Sequence, residues 1–259
     1  MSLSSRKAWE DAVLEYSTEL KMPTLRKYFT EHIKIAAQKD ISYEEFLAGL
    51  LQKECDARRE ASRYKRVRRA EFTHKKYLED LSVSDLPEDA QKKLKLLKTL
   101  DFIREGRNLI LAGNPGTGKT HVAIGLGIKA CLEGYKVWFT SVPVLVNRIK
   151  ECRAEQTLRA FQSRFEKYDL VIADEMGYIS FDKEGSELLF THLSLRAGRK
   201  STIITTNLSF ERWGEIFQDP VMTAAMIDRL THQSYLVNMN GNSYRMKETK
   251  EWLHKQKLA

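Results

Sequence analysis

The first hundred residues of this 259-residue chain contain almost no glycine: Gly49 stands alone there, and all the other glycines lie after residue 105. Long hydrophobic runs are also absent, since no stretch approaches the roughly 18–20 apolar residues that cross a membrane. The opening residues MSLSSRKAWEDAVLEY hold no apolar segment of the kind found in a secretory signal. We therefore expect a cytoplasmic protein without a membrane partner.

Cysteine is scarce and scattered. Cys55, Cys131 and Cys152 form no CxxC pair and have no histidine cluster beside them, which argues against a disulfide framework and a zinc site. Glycine and proline are few (13 and 5), whereas 42% of the residues are hydrophobic and 30% are charged. This composition excludes fibrous and wholly disordered proteins and predicts an ordinary globular one.

Acidic residues are the minority among the charges. The chain has 35 Asp and Glu against 43 Lys and Arg, giving a formal net charge of +8 and a sequence pI of about 9.2. The positive electrostatic potential that this excess charge creates favours polyanionic partners. Charge balance alone does not identify nucleic acid, because many basic proteins never bind it.

The glycine-poor front of the chain predicts a small helical domain over residues 1–77. Apolar residues such as Phe46, Leu47 and Leu50 recur at helical spacing among charged ones, and Ser42 precedes Glu45 by three residues, as in a capping box. The stretch LEDLSVSDLPEDA, residues 78–90, collects Ser, Asp and Pro and predicts a linker. Residues 91–259 then form a second domain.

Five short apolar runs follow, separated by helical patterns. They are RNLILAG (107–113), KVWFTS (136–141), DLVIAD (169–174), STIITTN (201–207) and SYLVNM (234–239). Apolar runs alternating with helices predict an α/β domain whose five-stranded parallel sheet is covered by helices on both faces.

A phosphate-binding loop is the sharpest motif. The sequence GNPGTGKT follows the first apolar run and precedes the helical segment HVAIGLGIKACL, which is the context that a GxxxxGKT motif requires. The loop amides would surround phosphates, Lys119 would reach the terminal phosphates and the Thr120 hydroxyl would hold Mg²⁺. The predicted nucleotide contacts are Gly113, Asn114, Pro115, Gly116, Thr117, Gly118, Lys119, Thr120 and His121.

Two adjacent carboxylates end the third apolar run, LVIADE. Asp174 is predicted to orient Mg²⁺, and Glu175 to accept a proton from the water that attacks the terminal phosphate. An acidic pair at a strand end is also common as a solvated turn. A general base at this place favours ATP hydrolysis over a small-molecule kinase, which must avoid activating water, and no NKxD motif indicates guanine.

Asn207 ends the fourth apolar run, between the two motifs. Its amide could hydrogen-bond both the attacking water and the terminal phosphate, as a sensor residue does. The alternative is an ordinary strand-ending Asn of the kind favoured in turns.

The order GNPGTGKTH, DLVIADEMGY, TIITTNLSFERWGEIF, MIDRLTH and GNSYR resembles the AAA+ ATPases of the DnaC/IstB group, and within it the IstB transposition helper ATPases of insertion sequences. The resemblance covers residues 100–245. It implies an AAA+ P-loop core preceded by a small all-α domain. About twenty residues follow the last predicted strand, too few for a separate multi-helix lid, so we expect that lid to be reduced or absent.

Position by position, the resemblance implies roles for single residues. Lys119 and Thr120 match the nucleotide and magnesium contacts, Asp174 and Glu175 the Walker B pair, and Asn207 sensor 1. Arg229 matches an arginine finger, which would stabilise charge on ATP bound to a neighbouring subunit; the alternative is a surface ion pair. Arg245 is the candidate for a lid-type sensor, with a structural role for the tail as its alternative.

Two basic segments are candidate DNA contacts. Nine Lys or Arg and only two acids occupy residues 58–76, and a second segment, between the second and third strands, resembles an initiator-type pair of helices joined near Ala154. Each could instead be a solvated helical face. The candidates are Arg58, Arg59, Arg63, Lys65, Arg66, Arg68, Arg69, Arg148, Lys150, Arg153 and Arg159. No helix-turn-helix or zinc finger is recognisable, so we expect contacts to the backbone of double-stranded DNA.

These patterns together predict an ATP-dependent DNA-binding ATPase that forms a homo-oligomer on DNA, with ATP at subunit interfaces. The IstB resemblance implies that it assists the transposase of its own insertion sequence in target selection. A DnaC-type helicase loader is the alternative, because it would use the same core.

Overall fold

The computed structural model describes residues 3–217 and 219–257. Its contacts divide the chain into two compact units, with the boundary between Lys65 and Arg66. Within the described ranges, no helix combines the length and apolar character that a membrane crossing requires.

The first unit is helical, as its glycine-poor sequence predicts. Its helices are α1 (Leu3–Glu19), α2 (Pro23–Lys39) and α3 (Tyr43–Arg69), the last of which ends beyond the unit boundary. Helix α3 begins after Ser42, whose Oγ accepts a hydrogen bond from the Glu45 backbone N–H at 3.2 Å. This bond satisfies one of the amides that the first turn of a helix leaves unpaired.

Glu54 of α3 caps the start of α2. Its Oε2 accepts the backbone N–H groups of Thr24 and Leu25 at 2.8 and 3.0 Å, and its Oε1 accepts Arg58 Nε at 2.9 Å. Burial alone would raise the pKa of this carboxyl, which is 2% exposed, but the hydrogen bonds from Leu25, Arg58 and Thr24 outweigh burial and lower the pKa from its ordinary value. A charged carboxylate therefore joins α2 to α3.

The second unit has one sheet, as predicted. Its strands are β1 (Leu109–Ala112), β2 (Val137–Ser141), β3 (Leu170–Met176), β4 (Ser201–Thr206) and β5 (Tyr235–Asn238). They pair in the order β2-β3-β4-β1-β5, and every pairing is parallel. Parallel pairing places the carboxyl ends of all five strands at the same end of the sheet. The phosphate loop, the Asp174–Glu175 pair and Asn207 all lie at this end.

Helices cover both faces of the sheet. One face packs against α4 (Glu88–Leu97), α5 (Asp101–Arg104) and α6 (Lys119–Glu133), and the other against α7 (Val142–Ala154), α8 (Leu158–Glu166), α9 (Lys183–Ser194), α10 (Gly214–Phe217) and α11 (Pro220–Thr231). The last helix is α12 (Tyr244–Lys257). Buried strand residues alternate between the faces: Leu170 and Ile172 join one cluster, Val171 and Ala173 the other.

Residues 66–87, here called the strap, belong to the second unit, although residues up to 77 were predicted in the helical domain and 78–90 as a linker. Leu78 and Leu86 are buried in its core. Helix α6 makes room for the strap with glycine: a Cβ on Gly125 would lie 2.6 Å from Leu78, and one on Gly127 would lie 2.9 Å from Phe72. Turn-forming residues are therefore compatible with a packed segment here.

Both edges of the sheet are partly covered. At the β2 edge, Phe139 N–H donates to Ala70 O of the strap at 2.8 Å. At the β5 edge, Lys93 of α4 donates to Leu236 O at 2.6 Å, and Asp89 accepts Asn238 N–H at 2.8 Å. Side chains and the strap thus occupy groups that a further strand would need.

Candidate nucleotide-binding site

The phosphate loop connects β1 to α6, as the motif requires. Gly113, Gly116 and Gly118 have φ angles of 156°, 79° and 92°, a range that residues with a side chain rarely adopt. At Gly113 a Cβ would lie 2.2 Å from the Met239 carbonyl carbon, so only glycine fits beside β5. Helix α6 begins at Lys119 and turns its unpaired amides toward the loop.

Lys119 is held inside the loop. Its Nζ donates to Gly113 O at 2.7 Å and to Asn114 O at 2.6 Å, and the residue is 7% exposed. Burial lowers the pKa of Lys119 to about 8; the negative charge of Asp174 opposes this shift and the positive charge of Arg245 adds to it. An anionic phosphate would stabilise the ammonium form.

This pKa predicts the pH dependence of triphosphate binding. Bound phosphate favours protonated Lys119, so affinity is full below pH 8 and falls as the pH rises through 8, by up to about tenfold per unit. Titration with a fluorescent ATP analogue from pH 7 to 9.5 measures it. Arg245→Ala removes a neighbouring positive charge and should shift the fall to higher pH. A flat profile in the unaltered chain would contradict the assignment.

Three side chains converge where the strands end. Thr120 Oγ1 donates to Asp174 Oδ1 and lies 3.0 Å from it and 3.2 Å from Oδ2, while Thr205 Oγ1 donates to Asp174 Oδ1 at 2.5 Å. Asp174 is 5% exposed. The sequence prediction missed Thr205, although its position two residues before Asn207, at the end of β4, was a usable signal.

Glu175 stands on a β-bulge. Strand β3 pairs Ala173 with Ile204 and then Met176 with Thr206, so three steps along β3 match two along β4. The extra residue allows Glu175 to adopt φ 63°, while its N–H donates to Thr205 Oγ1 at 2.9 Å. The bulge turns the exposed Glu175 side chain away from the core. Strained backbone of this kind is typical of functional sites.

Most of the residues predicted for the nucleotide site line one cleft of about 620 Å³, whereas Gly113, Asn114 and Asp174 are not part of its wall. The phosphate loop from Pro115 to His121, Glu175, Asn207 and Arg245 all contribute to its wall. Ten further residues that the sequence prediction did not include also line the cleft; six belong to the strap, and Tyr244 and Glu248 belong to α12. Those additional residues are Lys76, Asp80, Leu81, Ser82, Asp85, Leu86, Tyr178, Thr205, Tyr244 and Glu248.

The residues at the loop fit Mg²⁺. The ion prefers hard oxygen ligands and keeps several waters beside one or two carboxylates and substrate phosphates. The hydroxyl of Thr120 and the carboxylate of Asp174 are such donors, and they already lie within 3.2 Å of each other. These two are the candidates for Mg²⁺ bound with a nucleotide. Among the described residues, no group of three or more His, Cys, Asp or Glu could hold a metal.

Arg229 lies at the opposite end of the sheet from the phosphate loop. It lines a second cavity, of about 380 Å³, with residues that precede β1, β4 and β5, namely Asn108, Gly198 and Gln233. The guanidinium carbon is 4.8 Å from the centre of the Phe190 ring. The alternative predicted from the sequence was a surface ion pair; among the described residues Arg229 forms none, and its guanidinium lies over the Phe190 ring instead.

The predicted DNA contacts on α3 differ in their surroundings. Arg58 donates to Lys21 O at 2.6 Å and to Glu54, Arg59 pairs with Asp56, and Arg66 Nε donates to Cys131 O at 2.7 Å. These cations contribute to the structure of their own units. The side chains of Arg63, Lys65, Arg68 and Arg69 are exposed.

The second basic segment forms two helices, α7 and α8, which meet near Ala154 as predicted. Three of its four candidate cations lie beside carboxylates. Lys150 pairs with Asp182 at 2.7 Å, Arg153 pairs with Glu184 at 3.1 Å, and Arg148 lies 3.8 Å from Glu71 and above the Trp138 ring. Arg159 is exposed.

The fold and this site define a P-loop nucleotide-binding protein of the AAA+ type. The model of the family "IstB-like ATP binding protein" matches residues 16–252. The chain belongs to this family, which confirms the resemblance expected from its motifs.

Individual relatives are consistent with this family membership. The chain is 33% identical to an insertion sequence IS5376 ATP-binding protein of Geobacillus stearothermophilus, over 96% of this chain and 99% of the relative. It is 35% identical to an insertion sequence IS21 ATP-binding protein of Pseudomonas aeruginosa, over 90% of this chain and 88% of the relative. A crystal structure of the DnaC helicase loader shares the fold at a TM-score of 0.50 and 20% identity, covering 59% of this chain and 91% of that one.

Proposed function

We propose that the protein is an ATP-hydrolysing, DNA-binding AAA+ ATPase that assembles on DNA and assists the transposase of an insertion sequence. The observation that carries the proposal is the Thr120–Asp174–Thr205 cluster with Glu175 beside it, at the end of a phosphate loop. ATP binding requires only the phosphate loop, whereas ATP hydrolysis also requires the carboxylate pair Asp174 and Glu175.

Hydrolysis would use residues from three strand ends. Lys119 would neutralise the terminal phosphates, Glu175 would take a proton from the attacking water, and Asn207 would orient that water. Mg²⁺ held by Thr120 and Asp174 would supply charge neutralisation at the phosphates. Thr205 is a positioning residue, because one hydroxyl binds both Asp174 Oδ1 and the Glu175 backbone.

The position of Arg229 supports the proposed assembly. Strand β1 has four residues and spans roughly 13 Å. Arg229 and the phosphate loop of one chain lie at opposite ends of this strand, so at least its length separates them. An arginine finger at this place would act on the ATP of a neighbouring copy, in a head-to-tail contact. The homo-oligomer would thus have ATP at its subunit interfaces.

DNA binding would depend on cations that the fold leaves exposed. The candidates that the structure favours are Lys65, Arg68, Arg69 and Arg159. Arg58 and Arg66 are weaker candidates, because their guanidinium groups already bind backbone carbonyls.

Each phosphate contact contributes about 0.9 to the slope of log affinity against log salt concentration. Replacing Arg68 and Arg69 by Ala should therefore lower that slope by about 2, with Glu60→Gln as a control for surface charge.

The relatives named as insertion sequence proteins support the transposition role. Because these relatives are named as proteins of insertion sequences, we propose that this chain serves the transposase of such an element. The chain and the transposase would then act on the same double-stranded DNA in the cytoplasm.

The test compares nucleotide states. DNA affinity and particle size are measured with ATP, ADP and a non-hydrolysable analogue, using Lys119→Ala as the chain that should not bind nucleotide. We expect tighter DNA binding and larger particles with ATP than with ADP. Equal affinity and size in all states would overturn the switch. Pull-down with the transposase against a replicative helicase tests the partner, and capture of the helicase alone would favour a loader.

A further inference from the structure

The tail after β5 is hydrogen-bonded to the phosphate loop. Asn114 N–H donates to Asn240 Oδ1 at 3.1 Å, and Tyr244 N–H donates to Gly116 O at 2.9 Å. The approach is close enough that a Cβ on Gly116 would lie 2.2 Å from Ser243 Oγ. Helix α12 therefore begins against the loop that would hold the phosphates.

The first turn of α12 sends two cations in different directions. Ser243 precedes the helix, and its Oγ accepts Met246 N–H at 3.3 Å. Arg245 then lines the nucleotide cleft, whereas Lys247, two residues further on, donates to Asp85 Oδ1 at 2.8 Å. Residues two apart on a helix do not share a face, so the Lys247 contact fixes the rotation at which Arg245 meets the cleft.

Asp85 stands on the facing wall. It ends a short 3-10 turn of the strap, Val83–Asp85, and the next residue, Leu86, is buried in the core. Asp85 and Leu86 both line the cleft. Hydrogen bonds from Lys247 and Ser82 lower the pKa of the Asp85 carboxyl, so the pair is charged at neutral pH. The strap and α12 are thus connected by one ion pair across the edge of the cleft.

We infer that the Lys247–Asp85 pair positions Arg245 toward the phosphates of bound ATP, and that both members are positioning residues for the nucleotide. The inference rests on the proposed ATP binding. In this arrangement the packed strap serves as the fixed wall, and α12 is the single-helix counterpart of a lid. Without the pair, α12 is retained at the phosphate loop by Tyr244, but the direction of Arg245 is no longer fixed.

The experiment measures ATP affinity and turnover in Asp85→Asn and Lys247→Met. Each should raise KM and Kd for ATP up to about fivefold, the upper range for one partly exposed ion pair, with kcat changed less than about twofold. The matched control is Glu88→Gln, which breaks the exposed Lys92–Glu88 pair nearby without touching the cleft. Equal effects of Asp85→Asn and Glu88→Gln would overturn the inference.

Two further variants separate positioning from stability. In an Arg245→Ala background, Asp85→Asn should weaken ATP binding no further, because the pair acts through Arg245; additive effects would contradict this. The charge-exchanged chain, Asp85→Lys with Lys247→Glu, should recover most of the lost affinity. If the unaltered chain binds no ATP, the proposed function fails as well. If it binds ATP and all these variants bind equally, only the positioning inference fails.

Discussion

Glu175→Gln is expected to reduce ATP turnover by about 10²–10⁴-fold, the usual contribution of a general base, while leaving ATP affinity nearly unchanged. The substitution preserves the side-chain size. It also preserves the Glu175 N–H bond to Thr205 Oγ1, because that bond comes from the backbone. The bulge that presents the side chain to the cleft should therefore persist, and only the ability to accept a proton is lost.

Phosphate release under saturating ATP measures the loss, and a fluorescent ATP analogue measures affinity. Glu211→Gln is the matched control, because Glu211 is an exposed carboxylate near Asn207 that contacts Ser209. The variant should also accumulate in the ATP-bound assembly. Normal turnover by Glu175→Gln would show that another group activates the water.

Arg229→Ala is expected to reduce turnover by about 10³-fold or more, as loss of an arginine finger does elsewhere. ATP affinity of the single chain should remain, since Arg229 lies beyond the amino-terminal ends of the strands, beside Asn108 and Gly198. The side chain also packs on Phe190. Arg229→Lys keeps the charge but not the planar group and should recover little activity.

Mixing experiments distinguish action between copies from action within one. Arg229→Ala retains the phosphate loop, and Lys119→Ala retains Arg229, so a mixture should recover part of the turnover that each lacks alone. Activity should rise more steeply than protein concentration in the unaltered chain. No recovery on mixing, or turnover per chain that is independent of concentration, would contradict the arrangement.

Local patterns predicted the five strands and the phosphate loop because each of those signals lies within one short segment. RNLILAG predicts the strand, GNPGTGKT the loop and the following HVAIGLGIKACL the helix, in immediate succession. The convergence of Thr120 with Asp174 was also predictable, since parallel strands end at the same side of a sheet.

Other features depend on contacts between distant segments. The polar sequence of residues 78–90 predicted a linker, but Leu78 and Leu86 pack into space that Gly125 and Gly118 leave open on α6 and the loop. Charge counts likewise could not separate Arg58, which binds Lys21 O, from exposed Arg68. Pairing with a remote carbonyl is invisible in a run of basic residues.

The coverage of β2 by Ala70 and of β5 by Asp89 and Lys93 limits how copies of this chain can associate. A continuous intermolecular sheet would first have to displace the strap or α4. Contacts made by side chains need no such rearrangement. In the proposed assembly, subunits would therefore join and separate with their folded cores intact, and amyloid-like growth would be disfavoured.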